Sequence, residues 1–301
     1  MLCEKIDLYG DHRVMLYTYI PRWTTVPGHY PRRGGVVVLP GGAYLMHSAS
    51  EGEPVAMAFA AAGYNAYLLR YSIGADAVFP RSAADACRAL KLIRQHSGAW
   101  NQDMDKLALC GFSAGGHVAA CAGTMWNRPD VLAASGCSGD EGKPNALILC
   151  YPCITADLEG QADMYRLLAG ERPLEQLRDA ASAEKWVGAH TPPVFLWNGY
   201  RDKLVPVEHG LKFMAALAEH DIPFECHTYM QGQHAGALNT PASSLGDTGR
   251  EDAHTARWMT DCTQWLYQVF GTPRLDVPQG SIQALSEDRA HLGVPSFKFE
   301  F

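Results

Sequence analysis

Short, nearly continuous apolar runs recur along this chain, separated by segments in which apolar residues return every three or four positions. The runs "GVVVLP" (35–40), "NAYLLRY" (65–71), "KLALCGF" (106–112), "ALILCYP" (146–152), "PVFLWNG" (193–199) and "FECHTYM" (224–230) read as strands. The middle ones are apolar at consecutive positions, as strands buried on both faces are. "RVMLYTYI" (13–20) reads as an earlier, antiparallel strand. Strands alternating with helices predict an α/β fold: a mostly parallel central sheet with helices on both faces.

The helices between them carry a single apolar stripe. In "PRSAADACRALKLIRQ" (80–95), Ala83, Cys87, Leu90 and Ile93 share a face, Arg88, Lys91 and Arg94 point away, and Pro80 stands where a first-turn proline is tolerated. Segment 207–218 repeats the pattern with Val207, Leu211, Met214 and Leu217, and segment 253–269 turns Trp258, Cys262, Trp265, Leu266 and Val269 inward. Residues 1–271 therefore read as one domain, with a small polar, weakly helical insertion at about 153–191. Residues 272–301 form a C-terminal extension in which Phe297, Phe299 and Phe301 alternate with Lys298 and Glu300. That is strand periodicity, so the tail is an edge strand, a pairing element for a homo-oligomer, or a loosely held terminus.

Composition narrows the function classes. The chain has 301 residues, 47% hydrophobic and 19% charged, ample material for a core. Its net charge of −7, with no cluster of Lys or Arg, argues against nucleic acid and suits small or neutral partners. "MLCEKIDLYGDHR" has no apolar signal-peptide core, and "VAMAFAAAGYNAYLL", broken by Gly63 and Asn65, falls short of a membrane span. Nine scattered cysteines form no disulfide framework, so a reduced, cytoplasmic setting with no membrane association is the expectation.

Chemistry concentrates at "GFSAGGHVAA" (111–120). Ser113 directly follows an apolar strand and precedes a run of small residues, and Gly111 and Gly115 flank it at −2 and +2. A serine at a strand-to-helix turn adopts an unfavourable backbone conformation, which glycines on both sides relieve. The turn leaves the hydroxyl at the strand's C-terminal end and aims helix-start N–H groups at a reacting carbonyl. A serine hydroxyl needs a base, and the order nucleophile, acid, histidine is expected along such a chain. Asp202 in "NGYRDKLVPV" and His234 in "QGQHAG" each stand just after a strand, which puts both at the sheet edge that carries Ser113. "LPGGAY" (39–44) follows another strand, where the amides of Ala43 and Gly42 would join that of Ala114 in an oxyanion hole.

Other polar residues have plainer readings. Glu208 and His209 begin a helix and read as solvated or capping groups; Asp252 and His254 read as helix-end charges, His227 as a satisfied strand histidine and His190 as surface. "CYPC" (150–153) lacks the surroundings of a redox motif, no spacing argues for a metal, and "PGGAY" lacks the lysine of a phosphate-binding loop. Tyr44 has two readings, as a floor for the acyl or sugar group or as packing on a neighbouring loop, and Trp126 and Trp197 read as core or near-core aromatics.

From about residue 10 to 270 the chain resembles the α/β-hydrolase superfamily. Within it, "PGGAY", "EGEPVAMAFAAAGYNAYLLRYS", "GFSAGGHVAA", "GYRDKLVPV" and "QGQHAG" are similar to the bacterial acetyl-esterase group, which includes enzymes that deacetylate xylan-type and other sugars. The resemblance implies Ser113 as nucleophile, His234 as base and Asp202 as its orienting acid, with no metal or cofactor. Two departures stand out: Pro40 replaces the histidine that many relatives carry before the glycines, and Ala43 replaces a further glycine.

The expectation is a serine esterase acting on short-chain, acetyl esters of small molecules or oligosaccharides, since 153–191 leaves no room for a long lipase lid. Activity should fall on acidification, because only a neutral imidazole accepts the serine proton. The alternatives are a small serine amidase or peptidase, a ligand-binding hydrolase fold without catalysis, and a scaffolding role through the tail.

Overall fold

The computed structural model describes residues 1–22, 30–157 and 162–272. Among them, eight strands form one sheet: β1 (Lys5–Asp7), β2 (Met15–Tyr19), β3 (Arg33–Leu39), β4 (Asn65–Arg70), β5 (Gln102–Phe112), β6 (Ala146–Cys150), β7 (Val194–Gly199) and β8 (Phe224–Tyr229). The order is β1-β2-β4-β3-β5-β6-β7-β8. β2 runs antiparallel to both its neighbours, and from β4 to β8 every pairing is parallel.

The apolar runs are continuous because the sheet is covered twice. Along β3, Val37 and Leu39 enter one core while Val36 and Val38 enter the other, and β5 and β6 alternate in the same way. Each fully buried side chain of this kind contributes roughly 1.5–3 kcal/mol. One face is covered by α2 (Arg81–Gln95), α4 (Ala114–Met125) and α8 (Glu208–Glu219), the other by α1 (Glu53–Ala61) and α10 (Trp258–Phe270). Shorter helices complete the chain: α3 (Ser97–Trp100), α5 (Pro129–Ser135), α6 (Ala162–Ala169), α7 (Leu174–Ala181) and α9 (Pro241–Ser244). The α/β-hydrolase expectation is met, with helices on both faces of a mostly parallel sheet.

Several local expectations change. β1 has only three residues and is partly exposed, so no apolar run announces it. On α2, Arg88, Lys91 and Arg94 lie off the apolar stripe as expected, yet they are half-buried. Arg88 donates to the carbonyls of Leu8 and Ser135, Lys91 to Gly136, and Arg94 to Glu141 and Lys143, so their long stems bury while their heads satisfy backbone carbonyls. On α8 the inward residues are His209, Gly210, Phe213 and Leu217, whereas Leu211 is exposed. The last helix begins at Trp258, after a short turn at Thr255–Arg257, and buries Phe270 while Val269 is only half-buried.

In the insertion, α6, α7 and a turn at Ala183–Trp186 pack onto the body: Phe79 donates its amide to the carbonyl of Leu168 at 3.0 Å, and Arg172 reaches the carbonyl of Phe79 at 2.7 Å. The "SFKFEF" tail lies outside the described residues. Among the described residues no helix is long and apolar enough to cross a membrane.

Candidate active site

β5 ends at Phe112, and the chain turns through Ser113 into α4 with Ser113 at φ 52°, ψ −118°. A non-glycine residue held there stores on the order of 1–3 kcal/mol of strain. The turn survives because its neighbours have no side chains. A Cβ at Gly111 would collide with the carbonyl of Gly115, and a Cβ at Gly115 with that of Leu39. Backbone bonds pin the serine on both sides: its amide donates to Cys150 O at 3.1 Å, and its carbonyl accepts from the amides of His117 and Cys153, each at 3.1 Å.

The loop after β7 brings Asp202 to the same edge, its side chain fully buried. Asp202 Oδ1 accepts from the amides of Leu204 and Val205, each at 2.9 Å, which leaves Oδ2 for His234. The loop after β8 carries His234, whose Nδ1 lies 2.6 Å from Asp202 Oδ2 and whose Nε2 lies 2.8 Å from Ser113 Oγ. A carboxylate against Nδ1 assigns the imidazole proton to that nitrogen, so Nε2 presents its lone pair to the serine hydroxyl. Three residues expected to meet from sequence order do meet, in hydrogen-bonding contact.

The loop after β3 passes through left-handed or extended positive φ at Gly42 (126°), Ala43 (53°) and Tyr44 (60°). Among the described residues, the amides of Gly42 and Ala43 donate to no protein acceptor. The amide of Ala114 opens α4, where the first-turn N–H groups have no intrahelical partner. These unmatched donors, on the loop after β3 and at the start of α4, flank the Ser113 turn, the kind of arrangement that can stabilise a developing oxyanion.

Tyr44 is 2% exposed and its hydroxyl donates to His117 Nδ1 at 2.7 Å, so of its two readings the geometry is that of packing. His117 Nε2 in turn donates to Ala181 O at 2.6 Å. Burial pulls the His117 pKa down to about 4, which keeps the ring neutral.

His209 corrects the solvated or capping reading: it is fully buried and its Nδ1 accepts from the amides of Ile154 and Thr155 at 3.0 and 3.3 Å. Burial likewise pulls its pKa down to about 4. Cys153, close beneath the serine, is held as a neutral thiol because burial pushes its pKa up to about 12. Its partner in the "CYPC" motif, Cys150, is buried in β6, and neither is in a disulfide. Trp197 is fully buried and Trp126 nearly so, and His227 Nε2 bonds Glu225 at 3.0 Å.

Sequence reasoning passed over Glu51 and Tyr151, which lie behind the serine and the histidine. Glu51 is 1% exposed and receives a hydrogen bond from the Tyr151 hydroxyl at 2.7 Å. The Tyr151 ring meets the His234 imidazole edge-on, 4.9 Å between centroids. The only sequence signal was an acid opening "EGEPVA", and its partner is 100 positions away.

In front of the site, an open groove of about 460 Å³ is lined by Arg201, Lys203, Leu204, Gln233 and His234. Among the described residues no three His, Cys, Asp or Glu side chains converge to hold a metal ion.

Sheet order, strand-to-helix serine turn and site placement define the class: an α/β hydrolase fold carrying a Ser-His-Asp constellation. The model of the BD-FAE family matches residues 27–217, more than half of the chain, and the protein belongs to that family. It is 37% identical over 224 residues to endo-1,4-beta-xylanase B of Butyrivibrio fibrisolvens, covering 73% of this chain and 35% of that one. It is 25% identical over 242 residues to an acetylxylan esterase of Xylanibacter ruminicola, covering 78% of this chain and 46% of that one. The chain thus spans less than half the length of these curated relatives. Among solved structures, the acetyl ester-xyloside bifunctional hydrolase of Caldicellulosiruptor lactoaceticus superposes with a TM-score of 0.74 at 28% identity, over 90% of this chain and 97% of that one.

Proposed function

We propose that this protein is a serine esterase that removes short acyl groups, acetyl first, from esters of sugars or xylo-oligosaccharides. The observation that carries the reading is the relay from Asp202 Oδ2 through His234 to Ser113 Oγ, with contacts of 2.6 and 2.8 Å. Ser113 Oγ attacks the ester carbonyl carbon while His234 Nε2 takes its proton, and Asp202 stabilises the resulting imidazolium. The amides of Gly42, Ala43 and Ala114 receive the negative charge on the carbonyl oxygen. His234 then protonates the departing alcohol, and water, deprotonated by the same nitrogen, releases the acid from the acyl-serine.

The choice of a short acyl group is supported by the names of two relatives, an acetylxylan esterase and an acetyl ester-xyloside hydrolase. It is also supported by an insertion that packs onto the body through Leu168 and Arg172. Room for a sugar alcohol is supported by the open groove beside His234, and by Tyr200, which stands 65% exposed at the start of the loop that carries Asp202. That none of the nine cysteines is in a disulfide supports a reducing compartment.

The test is a substrate panel: p-nitrophenyl acetate, butyrate and octanoate, p-nitroacetanilide, and an acetylated xylo-oligosaccharide followed by acetate release. The reading predicts preference for acetate over octanoate, acetate released from the oligosaccharide, and little turnover of the anilide. Preference for octanoate or for the anilide contradicts it.

A further inference from the structure

Glu51 is a buried carboxyl group that forms no ion pair with any cation among the described residues. Burying such a group is unfavourable, and an apolar residue would fill the space at lower cost. Its contacts account for its presence. Oε2 accepts from the amide of Gly41 at 2.7 Å, and Oε1 accepts from the hydroxyl of Tyr151 at 2.7 Å. The carbonyl on the other side of that Pro40–Gly41 peptide accepts from the hydroxyl of Tyr71 at 2.6 Å. Both polar atoms of one peptide plane are therefore held by buried side chains, and the next two amides, those of Gly42 and Ala43, are the donors left without a protein acceptor.

Tyr151 extends the link to the other half of the site. Its hydroxyl accepts from the amide of Ala237 at 3.1 Å, three residues beyond His234, and its ring packs edge-on against the imidazole. The backbone at Tyr151 is itself left-handed, φ 37°, and its amide donates to Trp197 O at 2.7 Å, so the tyrosine is fixed at its root as well as its tip.

We propose that Glu51 is a positioning residue which, with Tyr151, locks the oxyanion loop and the histidine loop into one mutual geometry. The carboxylate sets the plane from which the Gly42 and Ala43 amides project, and the tyrosine carries that reference to the segment bearing the base. Donors that must meet a charge only in the transition state are effective when they need no reorganisation. The link is made by an acceptor-only group because both neighbours are donors. A glutamine would satisfy one of them and turn its own N–H₂ toward the other.

This inference rests on the Ser113, His234 and Asp202 reading. Its test compares wild type, Glu51→Gln, Tyr151→Phe and the double variant on p-nitrophenyl acetate, with circular dichroism to establish folding and Ser113→Ala alongside. The second readout is inhibition by a small alkyl boronic acid, whose tetrahedral serine adduct places an oxygen in the oxyanion position. Expected for each single variant is a fall in kcat of about 10- to 1,000-fold, in the range of losing an oxyanion donor, with KM changed less than about threefold. The boronate Ki should rise with the fall in kcat, and the double variant should be no worse than the weaker single by more than about threefold, because the residues act as a unit. Folded variants that keep wild-type kcat, or lose activity through KM alone with an unchanged boronate Ki, overturn the proposal. Should Glu51→Gln fail to fold, Tyr151→Phe alone decides it by the same two readouts. Full activity in Ser113→Ala overturns the site reading and this inference together, whereas loss there with full activity in the other variants overturns only this inference.

Discussion

Tyr44 and His117, 73 positions apart, share a 2.7 Å hydrogen bond that ties the loop after β3 to α4, the helix that follows Ser113. The proton positions follow from the far side of the ring. His117 Nε2 faces the carbonyl of Ala181 and must donate to it, so Nδ1 is the acceptor and the tyrosine hydroxyl the donor. Removing that hydroxyl leaves a fully buried nitrogen without a partner. Tyr44→Phe should therefore cost about 1–3 kcal/mol of stability, the desolvation penalty of an unsatisfied buried acceptor. Urea unfolding of the two proteins measures this, and an unchanged midpoint contradicts the assigned donor and acceptor.

The same burial gives the histidines a pH signature. His117 and His209 are each pulled down to about 4, against an ordinary value near 6.5 for a solvated histidine, by burial first. In both cases the unfolded chain binds a proton that the folded one refuses, so their contribution is fully present above about pH 6.5 and is lost as pH falls toward 4. Glu51 and Asp85, raised by burial, act in the opposite sense, because their folded forms hold protons longer. A residue-specific probe is therefore the clean one. The imidazole NMR signals of His117 and His209 should keep neutral-form shifts at pH 5; titration of either near pH 6.5 contradicts the assignment.

Asp202→Asn separates orientation from loop support. Asp202 Oδ1 accepts from Leu204 and Val205, and an asparagine carbonyl oxygen keeps those bonds. The amide nitrogen then faces His234 Nδ1 and favours the wrong tautomer. The expected result is a loss of roughly 10⁴-fold in kcat with a near wild-type melting temperature. A loss below about tenfold, against the large effect expected of a missing orienting carboxylate, contradicts the role assigned to Asp202.

Gly111→Ala or Gly115→Ala should fail for a different reason. Either methyl group meets backbone carbonyls rather than movable side chains: that of Gly115 in the first case, those of Leu39 and Pro40 in the second. Overpacking of this kind costs about 1–3 kcal/mol or more, and here it acts on the turn that aims Ser113. Scanning calorimetry should show a lower melting temperature together with lost esterase activity, and a fully active, equally stable variant contradicts the account of the turn.

The parts of this molecule legible in the sequence were those governed by local rules. A serine turn needs small residues at fixed offsets, and a parallel sheet places strand ends at one edge, so Ser113, Asp202 and His234 could be assembled from strand positions and order. What escaped were bonds between distant side chains and backbone. Nothing near Glu51 announces a tyrosine 100 positions away, and nothing near His117 announces Tyr44 or the carbonyl of Ala181. α8 misled for a related reason. Hydrophobicity favoured Leu211 as the inward residue, but the fold needs an acceptor for the amides of Ile154 and Thr155, and burying His209 leaves Leu211 51% exposed. Arg88, Lys91 and Arg94 on α2 point away from the apolar stripe as expected, but nothing in their helix announced that they serve carbonyls within residues 135–143.

The central claim is that Ser113 is the nucleophile, and covalent capture tests it most directly. The protein would be treated with a fluorophosphonate probe, its residual activity on p-nitrophenyl acetate followed, and the modified peptide mapped by mass spectrometry. The account predicts one adduct, on Ser113, formed in step with loss of activity, absent in Ser113→Ala and strongly slowed in His234→Ala. An adduct on another serine, or full activity in the protein labelled at Ser113, would contradict it.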